Sequence, residues 1–208
     1  NLRRALVVQR TSTADHVLEV DSEDGDFTTA ALPRTKVNIS NFTFVHQDDG
    51  EPQAVLIRVA ADSQLANGII TTEGDAANRI ACFGIDEETG ATTGDDESGP
   101  PKFDSLLLDC DVDAGNARGG SAFLATNNVV GYMPTLTGNG AQFINGATED
   151  NATTFDATQL SSFFANLGNL GYVGAVASTD TWYQNWTCNS DTVNLAGDSS
   201  CYALPVYN

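Results

Sequence analysis

The acidic side chains are the first whose type and spacing could do chemistry. Asp109, Asp111 and Asp113, followed by Gly115 and Asn116, form a DxDxDxGN run whose carboxylates could wrap around a calcium ion. An EF-hand loop also needs an acidic residue at its twelfth position, where Gly120 stands, so the match is partial. The rival reading is a solvated acidic turn tied down by the neighbouring Cys110. Asp21, Glu23, Asp24 and Asp26 form a second cluster open to the same two readings. Calcium at either place would rigidify a loop and offset clustered negative charge.

Groups for nucleophilic or acid–base chemistry are sparse. The two histidines, His16 and His46, each have acidic neighbours, Asp15 for the first and Asp48 and Asp49 for the second. Adjacency in sequence alone makes a weak dyad. The chain has no GxSxG, HExxH, P-loop or GxGxxG motif. Cys82, Cys110, Cys188 and Cys201 form an even set without CxxC or zinc spacing, which favours disulfides and an oxidising compartment. Of the three connectivities, Cys82–Cys110 with Cys188–Cys201 is preferred, because each pair closes a polar loop between two strand-like runs. Trp182, Tyr183 and Trp186, with Tyr202, could stack on sugar rings, although aromatics beside a disulfide also fill small cores.

The elements that must position these groups are strands. Residues 37–45, 54–59 and 65–72 are apolar runs rich in β-branched and aromatic side chains, separated by Asp/Gly/Gln/Ser turns. No two-residue Asn-Gly hairpin joins them, so strands winding in one direction, a solenoid, are expected. Residues 2–9 and 17–21 extend the pattern forward, and residues 78–86 and 103–109 extend it onward. Residues 87–101 read as an exposed loop. A short helix is expected within 117–126, a short strand around Phe143 and a further strand over 172–176. The strongest helix signal covers 157–167, where Asp156 stands at the N-cap and Gln159 at N3. Leu160, Phe163, Phe164 and Leu167 are spaced i, i+3, i+4, i+7 for burial, and Gly168 follows.

Composition bounds the function. With 28 acidic against 9 basic side chains the net charge is −19, which disfavours nucleic acid, anionic lipid and polyuronate partners unless metal ions mediate. Nineteen glycines and few helix formers favour an all-β chain. No apolar run has membrane-spanning length, so membrane insertion is not expected. Sequons at Asn38, Asn41, Asn151 and Asn185 fit a secreted protein but are common in an Asn/Thr-rich sequence.

The blocks RRALVVQR, DHVLEVDSEDGDF, LPRTKVNISNFTFV, AVLIRVAADSQLANGIITTE, ACFGID, FDSLLLDC, FINGATE and SSFFANLGNLGYVGAVASTDTWYQNWTC span most of the chain. Together they resemble the C-terminal half of a group of secreted bacterial surface proteins similar to right-handed parallel β-helix proteins. The resemblance implies a scaffold rather than a reaction. It also implies further coils ahead of residue 2, as does a first rung with nothing before it to cover its edge. Pectin-degrading enzymes share that fold, but beside Asp48–Asp49 and Asp95–Asp96 this chain lacks their Gly-His-Gly and Arg-Ile-Lys blocks. A lyase would need a base near calcium, and nothing in the sequence places Arg58, Arg79, Lys102 or Arg118 there.

The expectation is therefore an all-β protein: a right-handed parallel β-helix over residues 1–148, closed by a helix–strand–disulfide capping module over 149–208. It would be secreted or held at the bacterial cell surface. Its role would be structural or adhesive rather than catalytic, with copies of itself, an envelope protein or a glycan as partner. The alternative is a polysaccharide hydrolase, lyase or glycan-binding module using the β-helix groove.

Overall fold

A computed structural model describes residues 1–9, 15–22, 34–47, 53–73, 81–86, 100–113, 120–138 and 142–184. The protein is mostly β, with parallel strands in two open sheets and few helices. The strands are β1 (Leu2–Val8), β2 (Leu18–Asp21), β3 (Lys36–Gln47), β4 (Gln53–Arg58), β5 (Asp62–Glu73), β6 (Ala81–Ile85), β7 (Lys102–Asp109) and β8 (Val129–Val130). The larger sheet runs β1-β3-β5-β7-β8 and the smaller β2-β4-β6. Up to β7 the chain therefore crosses from one sheet to the other at every step and returns parallel to where it was. A bridge between Ala81 and Asp111 begins a fourth place in the smaller sheet.

Register explains the apolar pattern. Leu2 lies opposite Ile39, Ile39 opposite Leu65 and Leu65 opposite Phe103. Like side chains thus stack in columns, and Ile39, Phe42, Phe44, Leu65, Ile70, Phe103, Leu106 and Leu108 meet Val55, Ile57, Phe83 and Ile85 of the smaller sheet in one core. Phe83 and Phe103 stack with centroids 4.4 Å apart. Gly68 leaves room for the Phe42 ring, whose atoms would lie 2.0–2.5 Å from a Cβ there. Burying side chains of this size contributes about 1.5–3 kcal/mol each.

The inward positions fall at i, i+3 and i+5 rather than in strict alternation, because each long strand bends. Arg4, Asn41, Asn67, Ser105 and Asn127 all have φ between 53° and 61°. The flanking pairs, such as Ser40 with Ala66 and Phe42 with Gly68, place Arg4, Asn41, Asn67 and Ser105 opposite one another, and Asn127 stands two residues before β8. A column of left-handed residues therefore forms a corner running through the larger sheet. Asparagine tolerates this conformation better than other L-residues with a Cβ.

The outward face of the larger sheet is covered by the chain after β8. Val45 packs with Phe143, Ala175, Val176 and Tyr183. Ile69 and Leu107 pack with Tyr132, Leu136 and Val173, and Ala66 packs with Ala157, Leu160 and Phe164. Side chains at the corner and beside it fasten this layer. Asn67 donates to the Phe155 carbonyl (2.9 Å) and accepts from its N–H (2.7 Å), while Thr43 Oγ1 accepts from Ala175 N–H (2.9 Å).

In this layer the structure differs from the sequence expectations. The helix expected over 157–167 is a 3₁₀ turn, Ala157–Gln159, and a separate helix, Ser162–Leu167, with an extended residue, Ser161, between them. Asp156 does cap the first turn, accepting from Thr158 N–H. The break lets Leu160 and Phe164 both enter the small apolar patch around Ala66, whereas Phe163 and Leu167 are 43% and 45% exposed. The strand expected over 172–176 reduces to one bridge, Ile144 with Val176. Gly171 and Gly174, at φ 77° and 92°, curve the segment so that it bonds to side chains and backbone of the sheet instead. Phe143 likewise lies beside single bridges rather than in a strand. A 3₁₀ turn, Gly120–Phe123, stands within the region expected to be helical.

Candidate functional site

The Asp109–Asp113 turn follows directly from β7. Asp109 ends that strand and is nearly buried, while Asp111 and Asp113 are exposed. Asp111 Oδ1 accepts from Asp113 N–H (2.9 Å), and Asp113 Oδ1 accepts from Ser121 N–H (3.1 Å). The Asp111 carbonyl accepts from Cys82 N–H (2.8 Å), and a Cys82–Cys110 disulfide closes beside it. These carboxylates thus hold the turn that leads the chain from one sheet to the other. Among the described residues no three His, Cys, Asp or Glu side chains gather in a metal cage; Gly115 and Asn116 lie outside the described residues.

The histidines stand apart. His16 precedes β2, with Nδ1 2.8 Å from the Gln53 carbonyl and Nε2 3.5 Å from Asp15 Oδ1. His46 is fully buried in β3, opposite Thr72. Asp48 and Asp49 lie outside the described residues. In the second acidic cluster Asp21 pairs with Arg58 at 2.8 Å, beside Glu19 at 2.5 Å; Glu23, Asp24 and Asp26 lie outside the described residues.

Among the aromatics, Tyr183 is buried edge-on against Phe143, with centroids 5.2 Å apart. Trp182 is half-buried and donates from Nε1 to the Ala175 carbonyl (3.1 Å). Trp186, Tyr202 and the pair Cys188 and Cys201 lie outside the described residues.

Two polar sites carried no motif. Glu149 is fully buried, and its carboxylate accepts from Thr135 N–H, Thr135 Oγ1 and Gly146 N–H at 2.7–2.8 Å. It holds the chain as it turns after β8. Burial, helped by the charges of Glu149 and Asp109, pushes the nearby Tyr132 phenol far above its ordinary pKa. Arg34 and Asp62 form a second buried contact, 3.4 Å apart. The sequence around them gave no signal: Glu149 stands between Thr148 and Asp150, and Arg34 and Asp62 are 28 positions apart.

An open cleft lies beside β1. Asn1, Leu2, Arg3 and Arg4 with Phe163, Leu167 and Leu170 line a cleft of ≈ 540 Å³. Arg3 donates to the Leu167 carbonyl (2.9 Å). Arg4 lies 3.7 Å from Asp180 and over the Tyr172 ring. Tyr172 donates to Asp180 (2.9 Å); burial first, and that bond second, push its pKa up to about 12. Phe163 and Leu167, assigned to the core from their spacing, belong instead to this cleft.

No family model, curated protein or solved structure matches the chain. Among the described residues no helix is long and apolar enough to cross a membrane.

Proposed function

We propose that the chain is a right-handed parallel β-helix of the secreted bacterial surface type its sequence resembles. In this reading it is a non-catalytic structural or adhesive scaffold that meets copies of itself or an envelope partner through a rigid acidic surface. The carrying observation is the path of the chain, which alternates between two parallel sheets and stacks like side chains in columns. Parallel crossovers of this kind are right-handed in ~98% of cases. The use made of the reactive side chains supports the non-catalytic part. Asp111, Asp113 and Glu149 bond to backbone N–H groups, and His16 stands with Asp15 and a carbonyl rather than beside a nucleophile.

The Cys82–Cys110 disulfide fits secretion. A net charge of −19 fits an exterior that repels nucleic acid and anionic lipid. Calcium, if taken up at Asp111 and Asp113, would stiffen the turn.

Incubation of the full chain with acidic and neutral glycans, with and without calcium, tests the reading. Reducing-end release and unsaturated-product absorbance should stay at background. Turnover abolished by one Asp or Arg substitution would replace the scaffold with a polysaccharide-active enzyme working in the coil's groove.

A further inference from the structure

We propose that Asn151 is an N-glycosylation site, taking an oligosaccharide from a lipid-pyrophosphate donor, and that the fold closes the sequons at Asn38 and Asn41 to the same modification. The inference rests on the reading of the chain as an exported protein, because sequons are used on secreted chains.

Access to the acceptor amide carries it. Asn38-Ile39-Ser40, Asn41-Phe42-Thr43 and Asn151-Ala152-Thr153 all fit the acceptor pattern, an asparagine, any residue but proline, then serine or threonine. The first two lie within β3, which pairs with a strand on each side. Asn41 is fully buried at the left-handed corner, and its Nδ2, the atom that would carry the sugar, donates to the Tyr172 carbonyl (2.5 Å) in the covering layer. Asn38 is 5% exposed, and the hydroxyl residues of both sequons, Ser40 and Thr43, are 0% exposed. Thr43 Oγ1 is also engaged, accepting from Ala175 N–H. A sugar on either amide would need space that the packed sheet and its cover already fill.

Asn151 differs on each of these points. It stands at the C-cap of the short helix Ala147–Asp150, at φ −96° and ψ 1°, where the chain turns. Asn151 and Thr153 are both exposed, while Ala152 between them is half-buried against the apolar patch of Ile69, Leu107 and Tyr132. Ala152 on one side and the buried Glu149 on the other thus pin the turn from within and leave the acceptor amide and its hydroxyl partner on the outside. Asn151 Nδ2 donates to the Ala147 carbonyl (2.7 Å), a solvent-exposed bond that water can replace.

In the transfer, Asn151 Nδ2 attacks C1 of the donor's first sugar. The bond from C1 to the pyrophosphate oxygen breaks, a C1–Nδ2 bond forms, one amide proton is released, and the lipid pyrophosphate leaves. No oxidant or reductant takes part. The product carries a neutral or charged oligosaccharide on the layer outside the larger sheet.

The test uses the full chain with Asn185→Gln, which removes the sequon outside the described residues. It is expressed behind a cleavable secretion signal in a host whose secretory pathway N-glycosylates. Protease-resistant, folded protein is collected from the medium and the secretory compartments and separated from protease-sensitive chains. Peptide N-glycosidase leaves aspartate in place of each modified asparagine, and peptide mass spectrometry locates it. Most folded chains should carry one glycan, at Asn151. Asn151→Gln and Thr153→Ala should each abolish the mass shift, and Thr153→Ser should restore it. Any modification of Asn38 or Asn41 should be confined to the protease-sensitive chains. Thr153→Ala keeps Asn151 and its bond to Ala147, so the test stays decisive if Asn151→Gln fails to fold.

Folded chains without a glycan would overturn the inference. So would folded chains modified at Asn38 or Asn41, or a mass shift that survives Thr153→Ala. None of these outcomes bears on turnover of added glycans, so a failure here is distinguishable from a failure of the scaffold reading.

Discussion

Asn67 joins the corner of the larger sheet to the layer that covers it, so Asn67→Ala measures how firmly that layer is held. The residue is fully buried at φ 53°. Its side chain makes two hydrogen bonds to the backbone of Phe155, at 2.9 and 2.7 Å. Each bond is worth about 1 kcal/mol net, and alanine in the left-handed region costs about 1 kcal/mol more than asparagine. The sum, about 3 kcal/mol, corresponds to a fall in Tm of about 6–12 °C for a chain of this size.

Asn127→Ala supplies the control. Asn127 shares the left-handed backbone, at φ 56°, but is exposed. Its substitution should cost only the backbone part, about 1 kcal/mol. Urea unfolding followed by Trp fluorescence and by far-ultraviolet circular dichroism reads both variants. Trp182 sits in the covering layer, so in Asn67→Ala its transition should come earlier than that of the strands. Equal costs for the two substitutions would refute the claim that the Asn67 side chain fastens the layer.

Two further outcomes follow from burial. The folded state holds the protons of Tyr172, with a pKa of about 12, and of Tyr132, whose pKa is raised further, whereas an unfolded tyrosine releases its proton near pH ~10. The stability this contributes is fully present below about pH 10 and is lost as pH rises through about 12, so phenolate absorbance of these residues should appear together with loss of dichroism; ionisation near pH ~10 with the fold intact would contradict it. The Cys82–Cys110 bridge is 0% and 3% exposed, so its thiols should be released at a rate set by unfolding rather than by reductant concentration, and replacing both cysteines should cost about 2–4 kcal/mol; rapid labelling under native conditions would rule this out.

Strand positions were legible because β-branched and aromatic residues cluster where the two sheets bury them. Residues 103–109, for example, became β7, shifted by one residue at its start. The stacking was less legible, since successive places in the larger sheet, Leu2, Ile39, Leu65 and Phe103, advance by 37, 26 and 38 residues. No fixed period runs through the sequence, because the connecting loops differ in length while the strands stay in register. The corner was hidden for another reason. An asparagine within an apolar run reads as a weak strand position, and only the alignment of Asn41 with Asn67 across the sheet reveals a shared left-handed bend.

The helix misreading has the same root as the difficulty with function. Spacing at i, i+3, i+4, i+7 tells which side chains would share a face, not whether a surface is wide enough to bury them. Of the four, Leu160 and Phe164 join Ala157 around Ala66, whereas Phe163 and Leu167 stand beside β1. Conversely, Asp111 and Asp113, spaced for a cation, turn out to bond backbone N–H groups, because the passage after β7 leaves donors that need acceptors. Here, spacing that suggests chemistry is spent on a turn between parallel sheets.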